Sequence, residues 1–307
     1  MHILIIRPGA IGDTLLTLPV LQALRARYTH PYITLVGNAA VLPLACATGI
    51  VDDTSDYQAP QWSELFSSKG ISTPSLQAQL QQVEMAICWL HDNEGIVTSN
   101  LRRASIPQVI TAPGRPTPNE RIHIMTYLAQ TIGITFETAG ARLALARTPH
   151  LLALARTSTH AQTLAIHPGS GGASKCWPVE RFAALIARLW QRHVPVLLLA
   201  GPAEETRLAE LERLLPSPPD SSLWHRLINV PLLEAAQQLR SCRGYLGNDT
   251  GITHLAALLG VPTLALFGPS DPAIWQPQGT IVRILHTSIL GNLSDDVVMH
   301  KLESLCL

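Results

Sequence analysis

The amino-acid sequence predicts an α/β protein made of two successive parallel-sheet units. Three observations carry this prediction. Apolar runs of about five to seven residues recur along the chain, with no polar face of their own. Amphipathic or small-residue stretches of helical period separate them. The alternation breaks once near the middle and then restarts. Strands that are apolar on both faces belong to parallel sheets covered by helices on either side.

In the first half, "ILIIR" (3–7), "YITLVG" (32–37), "EMAICWL" (84–90) and "PQVITA" (107–112) read as buried strands. Helices are predicted over 13–27 and 120–132. Residues 142–162, "RLALARTPHLLALARTSTHAQ", break the pattern: Pro149 can open a helix, and the polar "RTSTHAQ" precedes a fresh strand. This stretch is read as the interdomain connection, giving domains at 1–150 and 151–307.

The second half repeats the scheme. Strands are predicted at 163–169, 194–201, 227–230, 244–249, 262–268 and 281–285, with helices over 179–192, 203–214, 232–241 and 251–259. The tail 294–305 is predicted helical, with Asp295 and Asp296 in its first turn where the helix dipole favours acids. Packing of this last helix back on the N-terminal domain is the expectation. Two such units make two Rossmann-like domains, whose natural site is a cleft between the carboxyl ends of their strands.

Composition narrows the function classes. Of 307 residues 47% are hydrophobic and 14% charged, against a usual ~25% charged. The 22 basic and 22 acidic side chains balance, so no basic footprint for nucleic acid is present at the level of composition. Five cysteines lie far apart and odd in number, without a CxxC pair or metal-ligand spacing, and read as reduced, mostly buried thiols of a cytoplasmic protein. The chain opens directly on the strand "HILIIR", so no signal peptide is expected, and the apolar tracts are too short to span a bilayer.

Four stretches carry chemistry. In "GYLGNDTGITHLAALLG" a strand passes through Asp249, Thr250 and Gly251 into a helix, where unpaired amides and the dipole favour an anion. Gly251 lets a ligand approach the backbone, Thr250 supplies a hydroxyl, and His254 lies one turn on; alternatively Asp249 or Thr250 only caps the helix. The loop "HPGSGGASKCWP" (167–178) exposes backbone at Gly169, Ser170, Gly171 and Gly172 and adds a point charge at Lys175, without the order of a Walker A loop. After the next strand, Glu204 and Glu205 are placed either to accept from ribose hydroxyls or to favour a helix N-terminus. At the N-terminus, "RPGAIGDTLLTLP" gives GxxGD rather than GxGxxG, which speaks against a nicotinamide dehydrogenase. There Asp13 reads as an N-cap or as a base, and Arg7 as a group that can meet an anion.

Together these stretches resemble a known family. "RPGAIGDTLLTLPVLQALR", "HPGSGGASKCWPVERF" and "GNDTGITHLAALLGVPTLALFGPSDP" are similar to the three motifs of glycosyltransferase family 9, the lipopolysaccharide heptosyltransferases, and "NERIHIMTYLAQTIGI" adds a weaker match. The resemblance implies a GT-B fold, two Rossmann-like domains facing each other across a cleft. The donor domain is then C-terminal and the acceptor domain N-terminal. It implies an inverting transfer of heptose from ADP-heptose to a lipopolysaccharide core or related glycan, with no metal and no cofactor besides the nucleotide sugar.

Carried over residue by residue, the resemblance makes Asp13 the general base. Ser170 and Lys175 contact donor phosphate, and Asp249, Thr250, Gly251 and His254 form the diphosphate and sugar end of the donor site. Glu204 or Glu205 faces the nucleoside. Gly12, Arg102, Arg103 and Arg121, with Arg115 nearby, are the acceptor candidates, because residues 58–83 lack the basic cluster a phosphorylated acceptor would call for. The implied partners are a nucleotide sugar, a glycan acceptor and the inner face of the cytoplasmic membrane as a peripheral surface, with no nucleic acid. Two other readings compete: a GT-B sugar-nucleotide epimerase, and a non-catalytic nucleotide-sugar-binding protein.

Overall fold

The computed structural model describes residues 1–117, 119–138, 141–143 and 160–306. Its contacts divide the chain into two compact units, Met1–Thr138 and Ala139–Leu307. That division falls upstream of the 150/151 boundary drawn from sequence. The connection read at 142–162, with its helix start at Pro149, lies outside the described residues from 144 to 159.

The first unit is a five-stranded parallel sheet in the order β3-β2-β1-β4-β5. Its strands are β1 (His2–Ile6), β2 (Tyr32–Gly37), β3 (Asp53–Asp56), β4 (Met85–Trp89) and β5 (Gln108–Ala112). Its helices among the described residues are α1 (Ile11–Arg27), α2 (Leu42–Thr48), α3 (Pro74–Leu80), α4 (Ile96–Arg103) and α5 (Ile124–Thr131). The sequence pattern misses β3, because "DTSD" is a polar edge strand with no apolar run to betray it. It also misses α2, α3 and α4, each eight residues or fewer and thus about two turns of periodicity.

Residues 60–73 form a tied loop beginning with a 3-10 turn, Pro60–Phe66. The Asn100 amide, buried in α4, donates to the carbonyls of Leu65 (3.0 Å) and Ser67 (2.8 Å). The Glu64 carboxylate accepts from the backbone and hydroxyls of Ser72 and Thr73.

The second unit holds six parallel strands in the order β11-β10-β9-β6-β7-β8. These are β6 (Leu164–His167), β7 (Val196–Ala200), β8 (Trp224–Ile228), β9 (Gly244–Asn248), β10 (Thr263–Phe267) and β11 (Val282–His286). The helices are α6 (Val179–Gln191), α7 (Glu205–Leu214), α8 (Leu232–Leu239), α9 (Gly251–Leu258), α10 (Pro272–Trp275) and α11 (Asp295–Cys306).

Both sheets reverse strand order beside their first strand, the doubly wound pattern. In each, ligands are expected beyond the carboxyl ends of the two strands flanking the reversal. That singles out the loops after β1 and β4, and those after β6 and β9.

Helix α11 packs within its own unit. It packs on α6, β9 and β10, and Val298, Met299 and Leu302 enter the second unit's core. Arg188 holds Asp295 and Asp296 at its start, and the Arg243 guanidinium donates to the Cys306 carbonyl at its end (2.6 Å). The Cys306 sulfur occupies the space a β-carbon at Gly244 would need. Among the described residues no helix is long and apolar enough to cross a membrane. All five cysteines are free thiols; Cys88 and Cys242 are buried, Cys176 and Cys306 half-buried, and Cys46 is exposed.

Candidate functional site

In the second unit, β9 ends at Asn248 and α9 begins at Gly251, so two residues make the turn. Thr250 is the cap: its backbone is extended and its hydroxyl accepts from the Ile252 amide at 3.0 Å. Asp249 is therefore not needed as a cap and is free to do something else. Its carboxylate is buried. Oδ2 lies 2.9 Å from Lys175 Nζ, and Oδ1 lies 3.8 Å from Nε2 of the buried His254.

The loop after β6 meets the same turn. Lys175 ends a short 3-10 turn, Ala173–Lys175, and the Ser170 hydroxyl donates to the Asp249 carbonyl at 2.8 Å. Ser170, Lys175, Asp249, Thr250, Gly251 and His254 thus gather at one sheet end. Lys175 is not the free charge the sequence suggested but one half of an ion pair, 40% exposed on its outer side.

Glu204 immediately precedes α7. Its carboxylate turns back to accept from the Gly201 amide at 2.8 Å and covers Gly169, where any β-carbon would collide with it. Glu205 is exposed at the first position of α7. A residue the sequence reading passed over stands beneath the loop: His167, fully enclosed, with Nδ1 2.9 Å from the Leu199 carbonyl. Burial holds its pKa below the ordinary histidine value, which favours the neutral imidazole.

In the first unit, α1 starts at Ile11 and not at the expected residue 13. Asp13 is consequently its third residue, not its cap. The carboxylate reaches back, Oδ2 accepting from the Ala10 amide at 2.9 Å, while Oδ1 accepts from Arg7 Nη2 at 2.9 Å. The Arg7 side chain is 4% exposed and that of Asp13 28%, so a buried cation holds a carboxylate whose outer edge meets solvent. Burial lowers the Arg7 pKa, and Asp13 works against that shift.

Two glycines make room for the pair. Gly9 has φ +138°, and a β-carbon there would strike Asp13; one at Gly114 would strike the Arg7 guanidinium.

The acceptor candidates are more dispersed. Gly12 is the second residue of α1. Arg102 and Arg103 line an open depression of about 470 Å³ with Gly95, Thr98 and Ser99, at the end of α4. Neither forms a salt bridge among the described residues. Arg121 is exposed ahead of α5, whose cap is His123, its Nδ1 accepting from the Met125 amide at 3.3 Å. Among the described residues no three His, Cys, Asp or Glu side chains gather as a metal site.

Two doubly wound parallel sheets in succession are the architecture of the GT-B fold. The chain belongs to glycosyltransferase family 9 (heptosyltransferase), whose model matches residues 120–303. That span takes in both loops of the second unit; the turn bearing Asp13 precedes it.

The lipopolysaccharide heptosyltransferase 1 of Pseudomonas aeruginosa is 35% identical over 111 residues, 36% of this chain and 30% of that protein. Lipooligosaccharide heptosyltransferase 2 of Haemophilus influenzae is 27% identical over 122 residues, 39% of this chain and 35% of that protein. The sequence match thus spans about a third of the length of these curated relatives. In fold, the similarity runs nearly end to end. The structure of Escherichia coli ADP-heptose heptosyltransferase II superposes with a TM-score of 0.81 at 19% identity, covering 99% of this chain and 98% of that one.

Proposed function

We propose that this chain is an inverting glycosyltransferase that moves heptose from ADP-heptose to a lipopolysaccharide core or related glycan. The observation that carries the reading is the Lys175–Asp249 pair at the start of α9, inside the family-matched span. In this reading the nucleoside diphosphate lies on the first amides of α9, with Lys175 and Ser170 over its phosphates and His254 toward the sugar. Asp13 takes the proton of the acceptor hydroxyl as that oxygen forms its bond to the anomeric carbon. The bond from that carbon to the diphosphate oxygen breaks, and the diphosphate leaves with the electron pair.

A carboxylate for the proton and a lysine with helix amides for the leaving charge answer the two needs of the step, and the proposal calls for no metal. Gly12, Arg102, Arg103 and Arg121 are proposed to hold the acceptor, whose anionic groups suit guanidinium forks. The enzyme is proposed to act on the cytoplasmic side, at the surface of the membrane that carries its acceptor. The names of the family relatives support the donor and acceptor classes. A thermal-shift panel of ADP-, GDP-, UDP- and dTDP-sugars, followed by mass spectrometry of products from truncated lipopolysaccharide, tests the reading. Stabilisation by a donor other than an ADP-sugar alone overturns it.

A further inference from the structure

Asn248, the last residue of β9, is fully buried and uses its side chain to tie together both ends of the 168–177 loop. Its amide nitrogen donates to the carbonyls of Pro168 (2.8 Å) and Gly169 (3.0 Å), where the loop leaves β6. Its amide oxygen accepts from the Trp177 backbone at 3.0 Å, where the loop returns to α6. Arg207 on α7 closes the same neck from outside, Nε donating to the Pro168 carbonyl at 2.8 Å and Nη2 to the Trp177 carbonyl.

From this double clasp we infer that Asn248 is a positioning residue for donor binding, with Arg207 as its partner. It fixes the loop so that Ser170 and Lys175 meet Asp249, the very next residue in the chain. The inference rests on the donor site proposed above.

The chemistry demands an amide. The neck presents two carbonyls and one N–H to a single buried side chain, and an asparagine offers two donors and an acceptor. An aspartate would set a carboxylate against two carbonyl oxygens; a leucine would leave the Gly169 carbonyl and the Trp177 N–H without their partner, the Pro168 carbonyl keeping only Arg207. A freed neck lets the segment 169–175 drift. Lys175 then loses its fixed position over the helix amides, although no group that touches the donor has been changed.

The experiment pairs amide hydrogen exchange with calorimetric titration of ADP and measurement of KM and kcat, on Asn248→Asp, Asn248→Leu and Arg207→Met. Arg207→Met loosens the clasp from the half-buried side and serves if the Asn248 variants do not fold. Expected are faster exchange at the Trp177 amide in Asn248→Leu, whose side chain cannot accept from it, and loop amides exchanging faster in all three. ADP dissociation constants should rise about tenfold or more, with donor KM rising in step and kcat changing less. Faster exchange or a lower Tm with wild-type ADP affinity and KM overturns the positioning role. A wild-type chain that binds no ADP or ADP-sugar overturns the donor-site reading, and the inference falls with it.

Discussion

Arg7 Nη2 donates to the Asp13 carboxylate at 2.9 Å from a guanidinium that is itself almost wholly buried. A buried cation is costly without its partner, so the pair holds both the charge and the direction of the carboxylate. Asp13→Asn keeps the shape and removes the base. Transfer is expected to fall by about a hundredfold or more, as for loss of a general base, with ADP affinity unchanged by calorimetry. Transfer at the wild-type rate would remove Asp13 from the mechanism.

Gly9→Ala tests the same carboxylate without touching it. A β-carbon at φ +138° is strained and would meet Asp13 Oδ2 at 2.6 Å, so the side chain must move. The expected outcome is a loss of kcat approaching that of Asp13→Asn, with a fall in Tm and unchanged donor affinity. A fully active Gly9→Ala enzyme would show that the carboxylate's position is not critical.

Lys175 and Asp249 should behave as a coupled pair. Lys175→Ala leaves a carboxylate facing the donor phosphates and is expected to weaken ADP binding by tenfold or more, about 1.4 kcal/mol. Removing Asp249 as well relieves that repulsion, so the double variant should bind ADP better than Lys175→Ala alone. A double-mutant cycle by calorimetry measures the coupling, and strict additivity would contradict it.

Glu64 predicts a pH dependence of stability. Hydrogen bonds from Thr73, then Ser72, hold its pKa down to about 2, below the ordinary 4.5. The unfolded chain therefore binds the proton more readily, and the stabilisation is complete above about pH 5 and lost as pH falls toward 2. In thermal melts the wild-type advantage over Glu64→Gln should shrink across that window. A constant gap between pH 6 and 2.5 would contradict the assignment.

Helix α11 allows two kinds of contact to be compared. Asp296→Ala removes an exposed salt bridge to Arg188, for which a change below about 1 kcal/mol is expected. Leu302→Ala empties a fully buried site and should cost about 2–5 kcal/mol. Chemical denaturation measures both, and equal effects would mean that ion pairs, not apolar packing, seat the helix.

Much of this architecture is legible in the chain. The central strands β1, β4, β6, β7 and β10 are largely apolar runs, and these and β9 all lie close to their expected positions. Edge strands are harder: β3 carries two aspartates in four residues, and β8 was placed around 227–230 although it spans Trp224–Ile228. The glycine-containing loops announced the sheet ends, because at Gly9 and Gly169 a β-carbon would collide with a neighbouring side chain.

Pairing was not legible. That Lys175 is held by Asp249 depends on a contact 74 positions apart in sequence, and that Asn248 clasps the loop on contacts 71 to 80 apart. Spacing rules see one turn of helix or one pleat of strand, and such long-range partners fall outside them. Of the two readings the sequence left open for Asp13, the N-cap fails for a local reason. The helix begins two residues earlier, at Ile11, so the acid stands at its third position and bonds backward.

The seat of Cys306 against Gly244 offers a chemical gauge of the carboxyl-terminal helix. Burial pushes this thiol up to about 11, so while the helix is seated little reactive thiolate exists at neutral pH. Undocking would bring it back toward ordinary cysteine behaviour. The alkylation rate of that one sulfur, followed by mass spectrometry in the intact protein, would then count how often the last helix leaves the sheet.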